Sequence, residues 1–363
     1  MSTPVSWETA ERVATWVSSG RAPFGTAAPP LDARTEAQLR DDFAEFTLHA
    51  EQLVVAETGL HPASGPPRAQ VVDRVDWAKR NISSFRRLLE PVLGQLPGAG
   101  GLPGPFGGAA RTTAGAQLGL VLGWMSTRVL GQYDLLLTEG DDSGDVVSYV
   151  GPNIVALERR HGFPSRQFRL WIALHEVTHR CQFTAVPWLR PHFLSLVDKA
   201  LTGMAPDPRR VADTLRRAAQ AVRSGHNPLE EAGLLGLIAP PEQLAVIGQI
   251  QAMMSLLEGH GDVTMSRAGA AELPAASRFA QVLQERRSKA GFPARVLQQL
   301  LGIEAKLKQY AMGERFIAAV EASGGPALLA RVWEGPELLP TMEEIRDPSR
   351  WVARVSTPQL ATG

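Results

Sequence analysis

Residues 166–180 read Arg166-Gln167-Phe168-Arg169-Leu170-Trp171-Ile172-Ala173-Leu174-His175-Glu176-Val177-Thr178-His179-Arg180, and no proline follows until Pro187. An unbroken run of this kind predicts a helix. His175 and His179 then stand one turn apart on one face, where two imidazoles can reach a single ion at the ~2.0–2.1 Å that zinc requires. Glu176 projects about 100° further round the helix, near enough to take a proton from a water at the ion without being a ligand. The plainer alternative is a core helix whose histidines are satisfied by ordinary hydrogen bonds. Cys181, two residues past His179, falls on roughly the opposite face and reads as a small buried apolar group.

A catalytic zinc takes three protein ligands and keeps a fourth position open. Glu258 is the outstanding third candidate, because it follows the apolar stretch Met253-Met254-Ser255-Leu256-Leu257, where a carboxylate is costly to bury without a metal or a partner. Asp262, four residues on, shares that face and can accept the free ring N–H of a ligand histidine. His260 and Asp262 compete as ligands, and Glu258 could instead be a surface carboxylate. On a regular helix His260 lies about 200° from Glu258, so both face the ion only if Gly259 and Gly261 distort the turn. The expected cofactor is one zinc ion per chain.

The remaining composition bounds the function. The chain has 363 residues, with 44% apolar and 20% charged side chains, so it can fold over most of its length as one large or two smaller domains. Its 37 basic and 37 acidic residues balance, which removes the basic field a nucleic-acid partner requires. The most apolar window, Ala114 to Ser126, is shorter than the ~20 residues of a bilayer crossing, so no membrane partner is expected. One cysteine, and an N-terminus without a basic segment followed by an apolar run, point to a reducing, cytoplasmic setting.

Periodicity predicts helices near residues 4–19, 34–57 and 68–93, forming a helical N-terminal region over 1–96. A Gly/Pro-rich loop at 97–112 then leads to a metal-binding domain over 113–357, which can pack with 1–96 as one unit. Gly115, Gly119 and Gly123 line one face of the next helix and let another backbone approach closely. Gln132 to Leu137 and Val146 to Val150, either side of the polar turn Glu139 to Asp145, read as a hairpin. The run Arg209 to Arg217 reads as a solvated helix face. The expected class is α+β, mainly helical, with one small sheet or hairpin next to the metal-binding helix.

The pair Glu258-x-x-x-Asp262 resembles the third-ligand motif of the gluzincin branch of metallopeptidases. More specifically, Leu170 to Arg180, Gln182-Phe183, Val186 to Arg190, Leu257 to His260 and Lys306 to Gly313 resemble the zincin-like metallopeptidase type 2 family. Its members, mostly actinobacterial, are often described as hydrolases or as associated with biosynthesis of a deazaflavin cofactor. The similarity extends over about residues 73–355, including Leu130 to Asp134 and Trp333 to Pro340. It implies a zincin-like fold and the metal site more firmly than an activity.

With the resemblance, the expected function is a zinc-dependent hydrolase, foremost a metallopeptidase, with Glu176 as general base. Tyr310, one of only three tyrosines and inside a family-like stretch, is the first candidate oxyanion donor, followed by His260 and Tyr149. The strand Val146 to Val150 could pair with an extended peptide, as in other zincins, and Trp188, Leu189 and Arg190 could shape a cleft. The rival readings are a non-catalytic protein with a structural zinc and a hydrolase of a small-molecule amide. Oligomeric state is not legible.

Overall fold

The computed structural model describes residues 4–22, 30–93, 105–134, 145–202, 240–288 and 303–357. The run around His175 is helical from Ser165 to Ala185, and it belongs to a unit formed by residues 1–187 and 261–286. That unit contains α1 (Trp7–Ser18), α2 (Ala33–Thr58), β1 (Arg68–Val72), α3 (Arg74–Leu93), α4 (Pro105–Ser126), β2 (Gly131–Tyr133), β3 (Val146–Val150), α5 (Gly151–His161) and α6 (Ser165–Ala185). A second unit, residues 188–260 and 287–363, contains α7 (Leu189–Thr202), most of α8 (Pro241–Ala268), α10 (Ile303–Ala330), α11 (Met342–Arg346) and α12 (Pro348–Ser356). Helix α9 (Ala276–Ser288) lies in the first unit up to residue 286. The architecture is α+β and mainly helical.

The N-terminal helices gather around small residues. A methyl group added at Gly119 of α4 would lie 2.8 Å from Val13 Cβ of α1, and one at Gly123 would lie 2.7 Å from Val17 Cβ. Ala10 and Ala14 are fully buried on the facing side of α1. Backbones can approach this closely only where side chains are absent, which is the use the Gly115, Gly119 and Gly123 spacing anticipates. Trp7, Trp77, Ile82 and Leu122 close the same cluster with Val150 of β3. The residues before and after the Gly/Pro-rich segment therefore share one core.

The sheet has three strands in the order β1-β3-β2. β2 and β3 pair antiparallel with Gly131 opposite Tyr149, as the hairpin reading expects. β1 runs parallel to β3, with Arg68 opposite Val146 and Val72 opposite Val150. Residues 68–72 were expected to open a helix, which in fact begins at Arg74. The five residues Arg-Ala-Gln-Val-Val are too short and irregular to reveal a strand, and the partner lies beyond two helices in the chain. With both flanks paired, β3 is the central strand rather than an edge. Residues 105–112, expected in the loop, form the start of α4, with Pro105 at its first position, where proline's fixed φ suits a helix.

The metal-binding helix candidate, α6, is fixed by two buried arginines. Arg169 Nη1 donates to Asp42 Oδ2 of α2 at 2.6 Å, while its Nε and Nη2 donate to Glu158 of α5 at 2.8 and 2.9 Å. Arg180, wholly buried, donates from Nε and Nη2 to Asp145 at 2.7 and 2.6 Å, from Nη1 to Glu51 of α2, and from Nη2 to Ser64 Oγ at 3.1 Å. These bonds tie one helix to α2, α5, the residues before β1 and the entry to β3.

Among the described residues no helix is long and apolar enough to cross a membrane. The Arg209 to Arg217 run, residues 135–137 of the expected first strand and residues 139–144 of the polar turn lie outside the described residues.

Two substitutions test this packing. Arg169→Met leaves Asp42 and Glu158 buried without their main counter-charge and is expected to cost ~3–5 kcal/mol in urea unfolding. Gly119→Val is expected to cost ~1–3 kcal/mol by forcing α1 off α4. A loss below ~0.5 kcal/mol in both contradicts the packing described.

Candidate metal site

The sector of α6 that carries Arg169, Glu176 and Arg180 lies roughly 100–140° from His175 by helical geometry, and all three side chains are buried. His175 and His179 occupy the neighbouring face and are half-exposed. Their Nε2 atoms converge to 3.3 Å. Two nitrogens bound to one tetrahedral zinc at ~2.0–2.1 Å are separated by about 3.3–3.4 Å, so the rings already hold the spacing of two zinc ligands.

The opposite ring nitrogens face other partners. His179 Nδ1 donates to Gln182 Oε1 at 3.0 Å, one turn further along α6. His175 Nδ1 lies 3.9 Å from Asp262 Oδ1. Asp262 sits on α8, which passes the two rings at Gly261: a Cβ placed there would be 3.4 Å from His179 Cε1 and 3.9 Å from His175 Cε1. The helix continues unbroken through residues 258–262, so the glycines do not distort the turn.

Glu258, one turn before Asp262 on this helix, supplies a carboxylate oxygen. That oxygen and the two histidine nitrogens all lie within 4.8 Å of one another. The group of two imidazoles and one carboxylate, with Glu258 only 8% exposed, suits a zinc ion in both donor type and spacing.

Regular helical geometry also decides the position of His260. Its ring is buried and packs edge-on against Trp333 with centroids 5.1 Å apart, and it is not part of the donor group. The Trp333 carbonyl accepts from Trp188 Nε1 at 2.9 Å, so Trp188 is bound into the second unit. Gly259, on yet another side of α8, faces α10: a Cβ there would lie 2.6 Å from Gly313 Cα. Gly313, quoted above in the family-like stretch, thus serves a helix crossing. Tyr310 is carried by α10, and its side chain lies outside the described residues.

Tyr149 is fully buried, stacked on Phe43 with centroids 3.8 Å apart, and its hydroxyl is hydrogen-bonded to Thr47 Oγ1 at 2.8 Å. Burial pushes its pKa well above the usual tyrosine range. It is a core residue. Cys181 is buried as well, and burial, with Glu51 nearby, pushes its thiol up to about 12.

The sequence reading missed two neighbours of the site. Gln182 stands three residues past His179 on one helix, a spacing that marks it as reachable. Gly131 carries a subtler role: a Cβ at this position would lie 2.6 Å from Glu176 Cγ and 2.8 Å from its Oε1. The carboxylate therefore rests directly against the backbone of β2. Only a strand pairing with β3 brings these residues together, and no local signal announces it.

The sequence pattern of the zincin-like metallopeptidases matches residues 5–352. The chain is also 32% identical to a protein from Chloroflexus aurantiacus whose crystal structure is described as that of a candidate hydrolase with a novel fold. That likeness has a TM-score of 0.70 and covers 96% of this chain and 98% of the other. No curated protein matches the chain.

Two observations here have direct tests. At pH 8 the Cys181 thiol stays protonated and buried, so the folded protein is expected to resist an aromatic disulfide reagent and to release one equivalent once unfolded; rapid reaction of the folded protein contradicts the burial. Gly131→Val is expected to preserve the fold yet displace the Glu176 carboxylate, which a crystal structure of the variant measures directly.

Proposed function

The chain belongs to the zincin-like metallopeptidase family, and on that footing we propose that it is a zinc-dependent hydrolase cleaving a peptide or amide bond. The observation that carries the reading is the donor group His175, His179 and Glu258 with the buried carboxylate of Glu176 beside it on the same helix. A purely structural ion needs no such neighbour.

His175, His179 and Glu258 would hold one zinc ion per chain. When bound, zinc supplies Lewis acidity towards a substrate carbonyl and towards water. Glu176 takes the proton of the attacking water and later delivers it to the leaving amine. Gly131 lets that carboxylate lie against β2 without a side chain between them. Asp262 faces His175 Nδ1 at 3.9 Å, and its carboxylate would favour the ring orientation that turns Nε2 to the site.

The peptide-pairing role expected of β3 passes to β2, whose far side is not paired among the described residues. An extended substrate aligned there would run beside Gly131 and so beside Glu176. Tyr310 remains the proposed oxyanion donor, ahead of His260, whose ring is engaged with Trp333. Balanced charge argues against a nucleic-acid partner, and the single cysteine suits a reducing, cytoplasmic location.

Metal analysis and turnover test the proposal together. Purified protein is expected to carry about one zinc, and His175→Ala or Glu258→Ala to lose most of it. Glu176→Gln is expected to keep the zinc and lower kcat by ~10²–10⁴ on any substrate found in peptide and small-amide libraries. Unchanged metal in both ligand variants contradicts the site, and undiminished turnover in Glu176→Gln contradicts the mechanism.

A further inference from the structure

We propose that Gln182 is a positioning residue that fixes His179 in the tautomer able to bind metal. The inference rests on the zinc reading above and concerns how the protein prepares one ligand. Gln182 is fully buried, and its Oε1 accepts from His179 Nδ1 at 3.0 Å. An amide oxygen has no proton to give, so the ring proton must sit on Nδ1. The lone pair is then on Nε2, the atom that converges on His175. Were the proton on Nε2 instead, it would block the ligand position.

The two histidines are supported differently. His175 faces an anionic carboxylate, Asp262, at 3.9 Å across from another helix, whereas His179 is held at hydrogen-bond distance by a neutral amide on its own helix. The spacing of three residues makes this contact independent of how other elements pack. The amide end of the contact is buried, so Gln182 offers Nδ1 a fixed acceptor whether or not metal is present. Gln182 thereby pre-orients His179, while its neutrality adds no further negative charge to a site that already contains Glu258 and Glu176.

Zinc affinity of the full-length protein, measured by competition with a chromophoric chelator, tests this without recourse to activity. Gln182→Met keeps the side-chain length but removes the acceptor, and is expected to weaken zinc by ~10–100-fold. Gln182→Glu retains an acceptor and is expected to bind at least as tightly as the wild type. Metal-free melting curves of both variants report any loss of fold. In the metal-free wild type, long-range proton–nitrogen spectra are expected to show His179 protonated on Nδ1.

Wild-type affinity in a folded Gln182→Met, or an Nε2-protonated His179, overturns the positioning role while leaving the zinc reading intact. A folded wild type that binds no zinc overturns the zinc reading and this inference with it.

Discussion

Two guanidinium groups buried along one side of α6, Arg169 and Arg180, determine what the rest of that helix can do. Removing an arginine from water is expensive, and its attraction to carboxylates compensates only if the geometry is good and every donor is used. Arg169 meets this demand with Asp42 and Glu158, and Arg180 with Asp145, Glu51, Ser64 and Gly65. Such pairs contribute little net stability compared with apolar replacements, but they tolerate almost no displacement. The helix is held in one rotation about its axis.

That rotation decides the site. Glu176 lies in the same sector as the two arginines, so it is turned inward to the backbone of Gly131, and the adjacent histidines are turned to α8. Helix α8 passes the rings at Gly261, where an added Cβ would sit at van der Waals distance, and Asp262 stands opposite His175. Each step uses short-range geometry on a regular helix, so the two Nε2 atoms reach the spacing zinc would require without backbone strain. Among the described residues no non-glycine residue adopts a positive φ.

Much of this was legible in the sequence wherever the determinant was periodic. His175, Glu176 and His179 on one helix, Glu258 and Asp262 one turn apart, and the glycine face of α4 all follow from a repeat of 3.6 residues. His260 pointing away from Glu258 follows from the same arithmetic. What could not be read depends on pairing between distant segments. β1 is a strand because β3 accepts it, and Gly131 matters because that sheet delivers it to Glu176. The charges at Arg169, Glu176 and Arg180 did share a helix sector, a local signal for burial among partners, yet nothing in the sequence named Asp42, Glu158 or Asp145. Gln182 needed only its spacing from His179 to be noticed.

The proposed function requires a zinc ion shared by the two histidines and Glu258. Diffraction from zinc-soaked crystals, recorded on both sides of the zinc absorption edge, locates that ion without reference to activity. One anomalous peak per chain is expected, ~2.0–2.2 Å from His175 Nε2, His179 Nε2 and a Glu258 oxygen, with the fourth direction open beside Glu176. A peak elsewhere, or a fourth protein ligand closing the shell, would contradict it.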